Sequence, residues 1–353
     1  MLRGRKRMRL GAYITQTDER NADLAVTNLL GVSIEKRFVP SIANTVGTDL
    51  SKYKVVHTGE FAYGPVTSRN GDKVSIARLH GNDCIISSSY ISFKVVDDAL
   101  NPDYLMLWFM RLEFDRYARF KSHGSAREIF DWEQLCDVDL PVPSLGEQQK
   151  VVDSFKAVND RIYMLRQLND KLEALTDLLF RFWLGECGES NWDSGTLADL
   201  AIVKYGKDHS SLADGPYPVY GSGGVMRHAE RYLCDKVSVL IPRKGTLNNV
   251  LYVDDPFWSV DTMFYTILPD APTAKYLYHR IKNFDFESLD TGTSIPSNST
   301  KLLNSLVMKL PPKTALSLLE DRLQPLYAAI KDNSLEIVVL NQLKSAELNR
   351  LGR

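Results

Sequence analysis

Three groups of polar residues have types suited to nucleic-acid base edges or phosphates. Thr67-Ser68-Arg69-Asn70-Gly71-Asp72-Lys73 reads as a hairpin tip offering two cations and an amide. Lys121, His123, Ser125 and Arg127 form a second cluster. Arg227, His228, Arg231, Arg243, Lys244, Thr246, Asn248 and Asn249 form a third, in the other half of the chain. Ser222, Thr293 and Ser294 complete the candidates. Arg and Lys suit guanine edges or phosphate oxygens, Asn suits adenine, and small hydroxyls suit either. Any one cluster alone reads as a solvated turn. Their recurrence in both halves of the chain favours a reading surface.

Residues for catalysis are harder to find. No GxxxxGK[ST] run provides a phosphate loop, and no serine lies in GxSxG. Gly221-Ser222-Gly223-Gly224 follows PVYG and lacks the order of a dinucleotide cradle, so it reads as a β-turn. Asp255-Pro256-Phe257-Trp258 faintly resembles the acidic-Pro-Pro-aromatic loop of amino-methyltransferases, but one proline is missing and no glycine-rich motif accompanies it. It reads as a turn entering a strand. The six histidines (57, 80, 123, 209, 228, 279) show no metal-ligand spacing. Cys84, Cys136, Cys187 and Cys234 lie far apart with no CxxC pair, as expected of reduced thiols in a cytoplasmic protein.

Composition sets the frame for these clusters. The chain has 353 residues, 44% hydrophobic and 25% charged, which suits two or three globular domains. No apolar run approaches the ~18 residues of a membrane span, and the basic start MLRGRKRMRL has no apolar segment after it to make a secretory signal. Lys and Arg number 43 against 44 Asp and Glu, a net charge of −1. Binding to nucleic acid would therefore need local patches or another subunit, because phosphate neutralisation supplies most non-specific affinity.

A repeat organises the chain. Tyr104-Leu105, Gly124-Ser125 and Leu140-Pro141 recur in order as Tyr276-Leu277, Gly292-Thr293 and Leu310-Pro311, at offsets of 172, 168 and 170. An offset near half the length reads as duplication of one large unit. After each Leu-Pro comes an apolar stripe at steps of three and four. The first runs through Val151, Phe155, Val158, Ile162, Leu165, Leu168, Leu172, Leu175 and Leu179. The second runs through Leu316, Leu319, Leu323, Leu326, Ile330, Ile337 and Leu340, with Asn333 at a polar seam position. Each stretch is about forty residues, enough for on the order of 60 Å of helix. Pro325 either kinks the second helix or marks where it begins in earnest.

The segments before each helix, such as 53–97 and 216–268, carry strand-like runs broken by turns. The expected fold is α+β: a β-rich domain over 1–143, a long helix over 144–187, a second β-rich domain over 188–311 and a helix over 312–353. GECGESNWDSG (185–195) reads as the linker between halves. The two helices should pair as an antiparallel coiled coil through Phe155, Val158, Ile162, Leu165 and Leu172 facing Leu319, Leu323, Leu326, Ile330 and Ile337.

These residues also resemble a family. LPVPSLGEQQKVVDSFKAVNDRIYMLRQLNDKLEALTDLLFRFWL (140–184) is similar to the first helical region of the specificity subunits of type I restriction-modification enzymes. The segments 20–56 and 61–79 resemble one class of their target-recognition domain, and 292–312 resembles the closing strand of the second. The resemblance covers nearly the whole chain, although no Glu-Gln follows the prolines before the last helix. It implies a non-catalytic subunit that binds double-stranded DNA, with unlike half-sites read by the two domains about a pseudo-twofold axis and a spacer set by helix length. Two modification subunits would methylate adenine using S-adenosylmethionine, and restriction subunits would add ATP- and Mg-dependent cleavage; those cofactors would sit on the partners. Two other readings remain. One is a coiled-coil scaffold with two protein-binding β domains, and the other is an enzyme with unfamiliar motifs.

Overall fold

The computed structural model describes residues 7–43, 47–68, 70, 71, 73–123, 127–286 and 298–351. It divides into two compact units. One comprises residues 1–164 and 336–353, the other residues 165–335. Each therefore contains a β-rich domain and segments of both long helices.

In the first unit, strands Ile14–Thr17, Ile91–Val95, Phe61–Tyr63 and Ile76–Arg78 form an antiparallel sheet in that order. In the second, Ile202–Tyr205, Met263–Ile267, Ser238–Pro242 and Leu251–Val253 do the same. Both sheets place the first strand beside the last, then the second, then the third. Each domain is also closed by a ladder between its entering strand and the strand leading into a long helix. These ladders are Arg7–Arg9 with Asp139–Pro141 and Asp193–Thr196 with Val307–Leu310, both antiparallel. The expected linker thus supplies a strand, and its Trp192 is buried.

The tyrosines of the sequence repeat explain their recurrence. Tyr104, on helix Pro102–Phe109, donates its hydroxyl to the Pro141 carbonyl at 3.1 Å. Tyr276, on helix Ala271–Ile281, donates to the Lys309 carbonyl at 2.6 Å. Both side chains are fully buried, and both tie a domain helix to the closing strand.

The first long helix spans Leu145–Glu186 and the second Lys313–Arg350. The Glu-Gln of the sequence motif starts the first helix. Glu147 Oε2 accepts from the Ser144 backbone N–H (3.0 Å) and hydroxyl (2.7 Å), capping otherwise unpaired donors. The fully buried Gln148 accepts from the Asn101 N–H at 2.8 Å and donates to the Ala99 and Pro143 carbonyls. The second helix lacks this device yet begins at Lys313, and Pro325 lies exposed inside it without ending it.

The helices run antiparallel. In the first unit Ser154 contacts Glu347, Asn159 contacts Lys344, and Arg161 makes a two-pronged pair with Glu336. In the second unit Asn169 meets Asn333, Trp183 Nε1 donates to the Ala315 carbonyl at 2.9 Å, and Glu186 pairs with Arg322. Phe155, Ile162, Leu165, Leu319 and Leu323 are buried, and Val158, Leu172, Leu326, Ile330 and Ile337 are half-buried. One detail of the stripe is corrected: Leu168 and Leu175 are exposed, and Asn169 and Thr176 take their inward positions. Continuing the 3–4 spacing from Leu165 reaches 169, 172 and 176, so geometry overrides side-chain polarity there.

Helix Ala271–Ile281 is anchored by polar groups within the second unit. His279 Nδ1 lies 2.9 Å from Asp177 and its Nε2 3.0 Å from the Tyr327 hydroxyl. Burial, aided by the nearby Lys282 charge, pulls the His279 pKa down to about 4 against the attraction of Asp177, so the ring is neutral and bridges the two groups. Lys275, with its side chain almost wholly buried, pairs with Glu320 at 2.7 Å.

Candidate nucleic-acid interface

In the first unit the chain following helix Leu112–Lys121 returns alongside the 64–73 hairpin. The Thr67 N–H donates to the Glu128 carbonyl (2.9 Å), and the Phe130 N–H to the Pro65 carbonyl (2.8 Å). The Thr67 hydroxyl donates to Ser122 at 2.9 Å. Two clusters separate in sequence thus become one surface. A cleft of about 310 Å³ opens there, lined by Asn70, Ser75, Ser89, Tyr90 and Arg127.

The cations on this surface differ in their surroundings. Lys73 is paired with Glu35 at 2.8 Å, whereas exposed Arg127 meets no carboxylate among the described residues. Lys121 lies 5.8 Å from the Tyr117 ring centre. His123 Nδ1 and the Lys121 carbonyl both receive the Gln134 amide at 2.8 Å, so this corner is held by the capped helix Trp132–Cys136. Asn70 folds back through its amide toward the Val66 carbonyl at 3.4 Å. Arg69 and Ser125 lie outside the described residues.

In the second unit the turn between strands Tyr217–Gly221 and Gly224–Ala229 meets the loop 243–249. The Asn249 amide donates to the Ser222 carbonyl at 2.8 Å. Gly245 has φ +84°, a conformation that residues bearing a Cβ rarely adopt, and a Cβ there would come within 2.8 Å of the Ser222 hydroxyl, which would have to turn away. Ser222, Arg243, Lys244, Thr246 and Asn248 are brought together on these two loops. The Arg243 guanidinium lies 5.3 Å from the Tyr205 ring centre and donates to the Asp261 carbonyl at 3.2 Å. Lys244 and Thr246 are exposed, and Asn248 accepts from the Phe286 N–H at 3.2 Å.

Arg227 differs from its neighbours. It donates to the Leu212 carbonyl at 2.6 Å and pairs with Asp214 at 3.2 Å, which braces the 212–214 segment. Thr293 and Ser294 lie outside the described residues. Sequence reasoning passed over Tyr90, Tyr205 and Glu35. Only period-2 alternation in IVKY (202–205) could have marked Tyr205, and nothing local marks the others. Among the described residues, no group of three or more His, Cys, Asp or Glu side chains could hold a metal ion, and no helix is long and apolar enough to cross a membrane.

Comparisons with known proteins agree with the sequence resemblance. The family model described as the type I restriction modification DNA specificity domain matches residues 38–174. The specificity subunit of the type I restriction enzyme HindI from Haemophilus influenzae is 21% identical over 132 residues, covering 37% of this chain but only 28% of that protein. The MjaIX specificity subunit from Methanocaldococcus jannaschii is 20% identical over 306 residues, covering 72% of this chain and 69% of that one. In fold, the chain is similar to the S subunit of a type I restriction-modification system from M. genitalium (TM-score 0.56, 15% identity, 99% and 96% of the two chains). It is also similar to a chain solved in work on complex assembly and conformational transition of a type I system (TM-score 0.51, 16% identity, 99% and 98%). By these matches the chain is similar in sequence, and separately in fold, to type I restriction-modification specificity subunits, with the DNA specificity domain model matched over residues 38–174.

Proposed function

We propose that this chain reads a bipartite DNA target, one half-site per β-rich domain, as the non-catalytic specificity subunit of a type I restriction-modification complex. The observation that carries this is the duplication: two domains whose four-stranded sheets share one strand order each gather a polar loop cluster and are each closed by an antiparallel ladder. In the first half the readers are Arg69, Asn70, Lys73, Lys121, His123, Ser125 and Arg127. In the second they are Ser222, Arg243, Lys244, Thr246, Asn248, Thr293 and Ser294, with Arg227 supporting them. The paired helices position two modification subunits and the restriction subunits, which carry S-adenosylmethionine, ATP and Mg. The complex works in the cytoplasm.

With a net charge of −1, the chain alone should bind DNA weakly and gain affinity when modification subunits close around the duplex. The test maps methylated adenines in host DNA with and without this gene. Loss of one bipartite methylated motif supports the reading. An unchanged methylation map, together with no salt-dependent duplex binding by the assembled complex, would leave the protein-binding scaffold in its place.

A further inference from the structure

We propose that Glu35 and Lys73 act together as one specificity element that reads a single G·C base pair in the first half-site; this rests on the DNA-reading function proposed above. Glu35 was not among the residues marked by the sequence. It lies in the turn of the hairpin between strands Leu30–Val32 and Phe38–Pro40, and its carboxylate accepts from Lys73 Nζ at 2.8 Å. Both side chains are open to solvent, Lys73 at 43% and Glu35 at 61%.

What distinguishes this pair from an ordinary surface contact is its support. The residue after Glu35 is Lys36, held at φ +58°, with Nζ donating to Asp115 Oδ1 and to the Phe109 carbonyl, both at 2.6 Å. The residue after Lys73 is Val74, whose N–H donates to the same Asp115 oxygen at 3.0 Å. One buried carboxylate oxygen therefore positions both segments, and the exposed pair is held at both ends by the core.

The chemistry then selects the base pair. A carboxylate facing DNA is repelled by phosphates unless a cation accompanies it and a base donor meets it. In the major groove those donors are cytosine N4 and adenine N6. A G·C pair presents two adjacent acceptors, guanine N7 and O6, next to the cytosine donor. An ammonium beside a carboxylate matches that order. An A·T pair sets its donor between two acceptors and so offers the ammonium only one at a time. The element is neutral overall, so it adds discrimination rather than phosphate attraction.

The experiment uses the full chain assembled with its host's modification subunits. A randomised duplex pool is selected by binding at fixed salt and sequenced. Wild type should enrich a motif with a G·C pair whose preference falls roughly tenfold in both Glu35→Gln and Lys73→Met, at the same position and nowhere else. Exposed ion pairs contribute little to stability, so melting and assembly should not change. If Glu35→Gln does disturb assembly, Glu35→Asp keeps the charge on a shorter arm and should relax the same position. Unchanged motifs, relaxation at different positions, relaxation at an A·T pair, or equal weakening of all sequences would each overturn the proposal. A wild-type pool with no enriched motif would instead refute the DNA-reading function itself.

Discussion

Replacing Lys36 by methionine tests whether the hairpin carrying Glu35 is held by a buried ion pair. The Lys36 and Asp115 side chains are only 7% and 5% exposed, and they meet at 2.6 Å. Burial pushes the Lys36 pKa below the ordinary lysine range despite the attraction of Asp115, so the pair is costly to assemble and more costly to break. Among the described residues, Lys36→Met leaves the buried carboxylate with only the Val74 N–H at 3.0 Å, a loss of about 3–5 kcal/mol. At roughly 2–4 °C per kcal/mol for a unit of this size, melting should fall by about 6–20 °C. Adding Asp115→Asn removes the stranded charge while keeping an acceptor for Val74, and should recover all but about 1–2 kcal/mol. Calorimetry on the full chain, with denaturant titration of both variants, measures this. A melting shift under about 2 °C in Lys36→Met, or a double variant no better than the single one, would refute the reasoning.

Three further outcomes follow from named contacts. Tyr104→Phe and Tyr276→Phe should each cost about 1–2 kcal/mol in denaturant unfolding, since each leaves a closing-strand carbonyl without its buried donor; no loss in either would break the equivalence of the halves. A double-mutant cycle on Asn169 and Asn333, joined at 2.8 Å, should give a coupling of about 0.5–1.5 kcal/mol, and a value near zero would mean the two amides act separately. His57 is bound by Glu19 (3.0 Å) and Asp83 (2.7 Å), which raise its pKa to about 9. Because the folded value exceeds the unfolded one, its contribution is full below about pH 6.5 and is lost as pH rises through 9. With the ring side chain 44% exposed, screening reduces that to about 1 kcal/mol, visible as a stability loss over this window that His57→Gln abolishes.

The amino-acid sequence determines the large plan because that plan is written in local patterns. The 3–4 apolar spacing after each Leu-Pro makes long helices with one apolar seam, whereas the bonds of Gln148 to Asn101 and Ala99 reach more than forty residues back and exist only in the fold. The recurring Tyr104 and Tyr276 mark the duplication, but their purpose, a bond to a strand more than thirty residues away, emerges only when the chain is folded. Only tertiary structure turns Asn169 and Thr176 inward in place of Leu168 and Leu175, because the register of a long helix is decided by the whole seam. It also decides what each candidate cation meets. Lys73 faces Glu35, Arg227 braces Leu212 and Asp214, and Arg243 rests by Tyr205. All three look alike in the sequence. Their partners come from other strands and loops, and a charge is set by what lies within a few ångströms in space, which local sequence does not specify.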